Sequence, residues 1–96
     1  MIIYTGVHVR PSTDVAWFNR SNDHVGLEQT MKADGRIVSI ESKLINDLTM
    51  QNTQKFVNQE AFDFYMNQTC IIESRAARKA YNSANGIVST NTKTEI

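Results

Sequence analysis

Few side chains in this sequence pair chemical type with a spacing that could bind or react. Tyr4, His8 and Arg10 occupy alternate positions of one β-rich segment, so all three project from the same side of a strand. On an open sheet face they would line a pocket for an acidic or aromatic ligand, with Trp17 close by in sequence. The plainer reading makes His8 a hydrogen-bonded interface residue and pairs Arg10 with a carboxylate such as Glu41, because spacing alone fixes no partner. His24 with Asp23 and Glu28 has the helical spacing of a minimal metal site, but no cysteine or third ligand is near, so a solvated helix start is expected and no metal is assigned. Cys70 stands among Thr69, Ile71 and Ile72; with no cation beside it to stabilise a thiolate, it reads as a buried, inert thiol. Trp17 and Phe18 could stack on a base or ligand, yet only Arg10 and Arg20 accompany them, which favours packing or an oligomer contact. Arg75, Arg78 and Lys79 make a small basic patch that Glu73 dilutes, so a solvated face is expected rather than a nucleic-acid site. There is no glycine-rich phosphate loop and no Ser-His-Asp arrangement. No catalytic residue is assigned, and no cofactor is expected.

These residues need elements to position them. Residues 2–10 alternate, with Ile3, Thr5, Val7 and Val9 on one face and Tyr4, Gly6, His8 and Arg10 on the other; bulk on both faces predicts a central strand, which Pro11 ends. Residues 12–21 form a packed loop anchored by Trp17 and Phe18. Asn22 or Asp23 caps a helix to about Ala33, and Asp34-Gly35 stops it. Residues 36–44 and 48–57 form a hairpin around Ile45-Asn46-Asp47, with Val38, Ile40 and Ser42 facing one way and Ile37, Ser39, Glu41 and Lys43 the other. Asn58 to Gly86 is one long helix, or two in tandem with Thr69 as a second cap. Its stripe is Phe62, Met66, Thr69, Ile72, Ala76 and Ala80, of which Phe62, Met66 and Ile72 are expected in the core. Residues 87–95 are threonine-rich and suit an edge strand. The β-α-β-β-α-β order implies an α+β, ferredoxin-like antiparallel sheet with both helices on one face, in a single domain spanning residues 1–96.

The totals exclude several classes. Ten basic and ten acidic residues leave a net charge of zero, which favours neither nucleic acid nor a membrane surface. The single cysteine forms no internal disulfide, and no signal peptide or membrane span is visible, so a cytoplasmic setting is expected. A chain of 96 residues gains from association, because so small a domain buries only part of its surface. A homodimer or higher homo-oligomer through the open sheet face is expected, with Tyr4, His8, Thr49, Gln51 and Thr53 as interface candidates and other proteins as further partners.

The element order, the hairpin leading into Phe56-Val57-Asn58-Gln59-Glu60-Ala61-Phe62 and the broken second helix resemble the dimeric α/β-barrel superfamily, which includes antibiotic-biosynthesis monooxygenases. The likeness implies the fold and a dimer formed through the open sheet. It carries over no catalytic residue: the haem-degrading branch uses an asparagine, a tryptophan and a histidine, whereas here Trp17 lies outside the strands and the second helix has no histidine. Residues 10–15 and 80–87 are also similar to short proteins of tailed bacteriophages, which implies a host-cytoplasm or virion setting. Two functions follow: a self-associating structural protein without catalysis, phage-encoded, which the absence of a catalytic motif favours; or a cofactor-free monooxygenase-like enzyme or small-molecule-binding protein, which the fold alone supports.

Overall fold

The computed structural model describes all residues, 1–96. Its elements are β1 (Ile2–Val9), α1 (Asn22–Ala33), β2 (Ile37–Asn46), β3 (Thr49–Phe56), α2 (Gln59–Met66), α3 (Thr69–Asn85) and β4 (Val88–Glu95). The four strands form one antiparallel sheet in the order β2-β3-β1-β4, with the expected first and third strands at its centre. This is the ferredoxin-like α+β fold, with the second helix divided.

Local chemistry sets the boundaries. Ser21, not Asn22 or Asp23, caps α1, its hydroxyl accepting from the His24 amide at 3.2 Å. Asn58 caps α2 by accepting from the Ala61 amide at 2.9 Å. Asn67 closes α2 and Gln68 is extended, so the backbone turns before α3 begins at Thr69. Gly86 ends α3 with φ of 70°, a left-handed conformation suited to glycine. The break between α2 and α3 resets the helical phase, which corrects the single stripe. Phe62 is buried and Met66 half-buried as expected, but Ile71 is 0% exposed while Ile72 is 54% exposed.

The hairpin departs from simple alternation too. Ladder irregularities at Val38 and Ile45 shift β2 by one residue each time. Ile37 therefore pairs with Phe56 and Ile40 with Gln54; Ile40 and Ser42 share a face as expected, but Ile37 joins them and Val38 is left exposed.

The helices cover one sheet face, and the residues beneath them change character along it. At one end lie Ile37, Phe56 and Ile2; then Ile40, Gln54, Tyr4 and Lys93; then Ser42, Asn52, Gly6 and Asn91; and at the far end Leu44, Met50, His8 and Ser89. The apolar end forms the core with Met31, Ala61, Phe62, Tyr65 and Ile71. The polar end is less fully covered. Tyr4 and His8 belong to this helix-side face, whereas Thr49, Gln51 and Thr53 pair with Val9, Val7 and Thr5 on the uncovered one. The five interface candidates thus lie on opposite sides of the sheet. No helix is long and apolar enough to cross a membrane.

Candidate functional site

Between the polar end of the sheet and the helices lies a cavity of about 1220 Å³. Tyr4, Gly6 and His8 of β1, residues of all three other strands, and Tyr65, Arg75 and Arg78 of the helices line it, with Trp17 to Arg20 from the loop before α1. Of the expected pocket residues, Tyr4, His8 and Trp17 reach it; they do so from the helix side, within one protomer, and not from the open face. Arg10 is not on its wall.

Arg10 instead holds the loop. Its Nε and Nη2 donate to the Asp47 carbonyl at 2.9 and 2.7 Å, its Nη1 donates to the Val15 carbonyl at 2.9 Å, and its guanidinium stacks 4.6 Å from the Trp17 ring. Carbonyl oxygens, not Glu41, satisfy it. Tyr81 donates to the Ala16 carbonyl at 2.5 Å and packs on Phe18. Trp17 and Phe18 are thereby fixed over the cavity.

His8 is buried. Its Nδ1 shares a 2.6 Å hydrogen bond with Ser89 Oγ, which accepts from Asn82 Nδ2 at 2.8 Å. Nε2 makes no hydrogen bond and lies over Gly6, where a Cβ would stand 3.2 Å from it and 3.0 Å from Asn91 Oδ1. Gly6 is needed because a side chain there would displace the imidazole. Burial, and then the Arg78 charge, lower the His8 pKa, so the ring is neutral near pH 7.

A second polar cluster was read from sequence as a solvated helix start and is the opposite. His24, Glu28 and Tyr65 are 4%, 2% and 3% exposed. Glu28 Oε2 accepts from Tyr65 Oη at 2.8 Å, from His24 Nε2 at 3.2 Å and from Gln54 Nε2; its Oε1 accepts from Arg20. Tyr65 spends its proton on Glu28, so His24 Nε2, 2.8 Å from Tyr65 Oη, is the donor, and Nδ1 accepts from Ser74 at 2.7 Å. Burial alone would raise the Glu28 carboxyl, but hydrogen bonds from His24 and Tyr65 and the Arg20 charge hold it below its ordinary value. Burial, and then Glu28, push the Tyr65 phenol well up. Asp23 is exposed and takes no part, and no three His, Cys, Asp or Glu residues lie together as a metal cluster. One signal was present: His24, Glu28 and Met31 repeat at four and three residues, the spacing of a buried stripe.

The basic residues of α3 also differ from expectation. Arg75 and Lys79 are exposed at the rim, but Arg78 is half-buried on the cavity wall, its guanidinium 5.5 Å from the Phe18 ring. Burial, and then the neighbouring Arg20 charge, lower its pKa. Cys70 is half-buried at the edge of the core instead of fully enclosed.

A four-stranded antiparallel sheet with its helices on one face is the fold of the dimeric α/β-barrel proteins, and solved structures of that class superpose on the chain. No protein-family model and no curated protein sequence matches it. A candidate antibiotic biosynthesis monooxygenase from Deinococcus radiodurans aligns over 100% of this chain and 92% of its own, with 13% identity and a TM-score of 0.63. A mutant of SnoaB, a cofactor-independent oxygenase from Streptomyces nogalater, aligns over 99% and 91%, with 10% identity and a TM-score of 0.60. A conserved protein of unknown function from Bacteroides thetaiotaomicron aligns over 99% and 97%, with 12% identity and a TM-score of 0.56. At these identities the likeness is one of fold. The expectation of a non-catalytic structural protein, phage-borne or virion-associated, is corrected here: two of these neighbours are named as a monooxygenase and an oxygenase, and a large cavity lies between the sheet and the helices.

Proposed function

We propose that this chain is a cofactor-independent oxygenase acting on a small molecule held between its helices and sheet. The observation that carries this reading is His8 Nε2, unpaired on the cavity wall near Arg78, in a fold shared with such oxygenases. His24 has both ring nitrogens occupied, so His8 is the histidine available as a base. In the tautomer that donates from Nδ1 to Ser89, Nε2 accepts a proton from an acidic C–H or O–H of the bound molecule. Arg78 then stabilises the anion. An electron-rich carbanion can reduce dioxygen directly, and converting a methylene to a carbonyl consumes one O₂ and releases one H₂O, so no outside reductant is needed. Trp17 and Phe18, on the cavity wall, give the bound molecule aromatic surface to pack on.

The proposal includes a homodimer of the whole chain, 1–96, joined through the uncovered sheet face around Thr49, Gln51 and Thr53.

The test is oxygen uptake by chelator-treated protein with a panel of easily oxidised polycyclic hydroxyaromatics, with ¹⁸O₂ and mass spectrometry to follow the oxygen. Uptake with label in the product is expected, and His8→Asn should lower kcat/KM by about 10²–10⁴-fold while the fold is retained. Tight binding of panel members with no uptake by any would make the chain a small-molecule-binding protein instead.

A further inference from the structure

The cavity wall is built from two kinds of backbone. Most of it comes from the strands and helices, whose residues are tied into a sheet ladder or a helix and do not move without breaking it. Ile87, between α3 and β4, is tied too: its amide donates to the Asn82 carbonyl at 2.9 Å. Trp17, Phe18, Asn19 and Arg20 are the exception. They belong to the connection between β1 and α1, and no backbone group of residues 16–20 bonds to another backbone group.

Both ends of this connection are fixed. At the first, the Arg10 amide donates to the Leu48 carbonyl at 2.9 Å, and the Arg10 side chain binds the Asp47 and Val15 carbonyls. Pro11 packs on Gly86, where a Cβ would stand 3.4 Å from the proline Cγ. At the second, Arg20 pairs with the buried Glu28 and Ser21 caps α1. Residues 16–19, between these ends, have one hydrogen bond: Tyr81 Oη donates to the Ala16 carbonyl at 2.5 Å. The Tyr81 ring also packs on Phe18, with centroids 5.7 Å apart, and Arg78, one turn earlier on α3, stacks on Phe18 as well. Ala16 and Asn19 are exposed, and Trp17 and Phe18 are half-buried.

We propose that residues 16–19 are a strap that swings off and onto the cavity between fixed ends at Arg10 and Arg20, with Tyr81 as its latch. Lifting it breaks one hydrogen bond and the ring contacts with α3; displacing any other part of the wall breaks a ladder or a helix. The low-stability end of a fold is where such local opening occurs. The strap carries Trp17 and Phe18 with it, so its motion widens the cavity and leaves His8, Gly6 and the sheet in place. It thereby gives the cavity a way to admit and release a guest. That use rests on the cavity being the ligand site, as proposed above; the motion itself does not.

Trp17 is the only tryptophan and rides on the strap, so the chain labelled with 5-fluorotryptophan gives one ¹⁹F signal. The test is ¹⁹F relaxation dispersion on the intact labelled chain without ligand. The parent should exchange with a minor state on the μs–ms timescale on which active-site loops move. Tyr81→Phe keeps the ring on Phe18 and loses only the hydroxyl, and Tyr81 lies outside the hydrophobic core, so the fold is retained. Loss of one hydrogen bond should raise the minor population about two- to tenfold, and acrylamide should quench Trp17 fluorescence more strongly in the variant. Sub-denaturing urea should leave that population unchanged, because lifting four residues exposes little surface, whereas global unfolding responds steeply. A flat dispersion profile in both proteins, a minor population that Tyr81→Phe does not change, or one that grows with urea in step with global unfolding would overturn the proposal. No substrate enters the test. A chain without oxygen uptake leaves the strap standing, and a rigid strap in a chain that consumes oxygen removes the strap alone.

Discussion

Glu28 shows how much one carboxylate can organise. It is buried, ionised and surrounded by donors from α1, α2, β3 and the loop before α1. Removing its charge leaves Arg20 unpaired and turns an amide N–H₂ toward donors that a carboxylate oxygen had satisfied, so Glu28→Gln should cost about 3–5 kcal/mol, measured by urea unfolding at neutral pH. The pH dependence follows from signs. The folded pKa of His8 is below its ordinary 6.5, so its contribution is present above about pH 6.5 and is lost as pH falls toward the folded value. The folded pKa of Glu28 is below its ordinary 4.5, so its contribution is present above about pH 4.5 and disappears as pH falls further. Stability should therefore fall in two acid steps. His8→Asn should erase the upper step and Glu28→Gln the lower, in melting temperature against pH. A profile flat from pH 7 to 5 in the parent chain would mean that folded and unfolded His8 take up a proton equally readily. None of this was legible from His24 and Glu28 alone. Their burial depends on Tyr65 and Gln54, remote in sequence, and an i, i+4 pair of polar residues near a helix start ordinarily faces water.

At the scale of elements, the division of the second helix decides which residues pack. Continued past Met66 without a break, the periodicity would bury Ile72; with Asn67 and Gln68 turning the chain, Ile71 points inward. Ile71→Ala should cost about 2–5 kcal/mol and Ile72→Ala less than about 0.5 kcal/mol, a contrast that denaturant melts resolve. Phe62→Ala, on the segment before the break, should cost about 3–5 kcal/mol, because Phe62 stacks on both Phe56 and Tyr4. The strands, the Asn58 cap and the Gly86 helix end were legible because capping and alternation are local, whereas the α1 cap fell one residue earlier, at Ser21, and Gln68 rather than Thr69 precedes α3. Asn58 and Gly86 act where their chemistry placed them. The ladder irregularities at Val38 and Ile45 were not legible, since an inserted residue leaves no mark in a β-branched run, and they reversed the faces of Ile37 and Val38. The cavity was hidden for a related reason. Tyr4 and His8 share a face in any strand, but whether helices or solvent cover that face is a property of the whole sheet.

For the molecule as a whole, the sheet has two unlike faces and a dimer needs only one. The helix side is occupied by the core at one end and the cavity at the other. The opposite side presents Ile3, Thr5, Val7 and Val9 of β1 between Thr49, Gln51 and Thr53 of β3 and Val88, Thr90, Thr92 and Thr94 of β4. No helix crosses this row of short, mostly β-branched side chains, and its charges are few: Glu41 and Lys43 lie on the β2 edge, and Lys55 of β3 stands beside Ile3 at one end. A flat face of that composition is suited to burial against a copy of itself, because threonine and valine pack closely and lose little side-chain entropy. The cavity lies on the other side, so association would leave both sites open and would brace the sheet that carries His8 and Gly6. Sedimentation equilibrium at micromolar concentration should give a dimer. Val7→Lys places a charge at the centre of that face, pointing away from the core and the cavity; it should shift the equilibrium to monomer and make the remaining transition independent of protein concentration. A parent chain that sediments as a monomer across this range, with a melting temperature that does not move with concentration, would remove the dimer while leaving the cavity and its chemistry untouched.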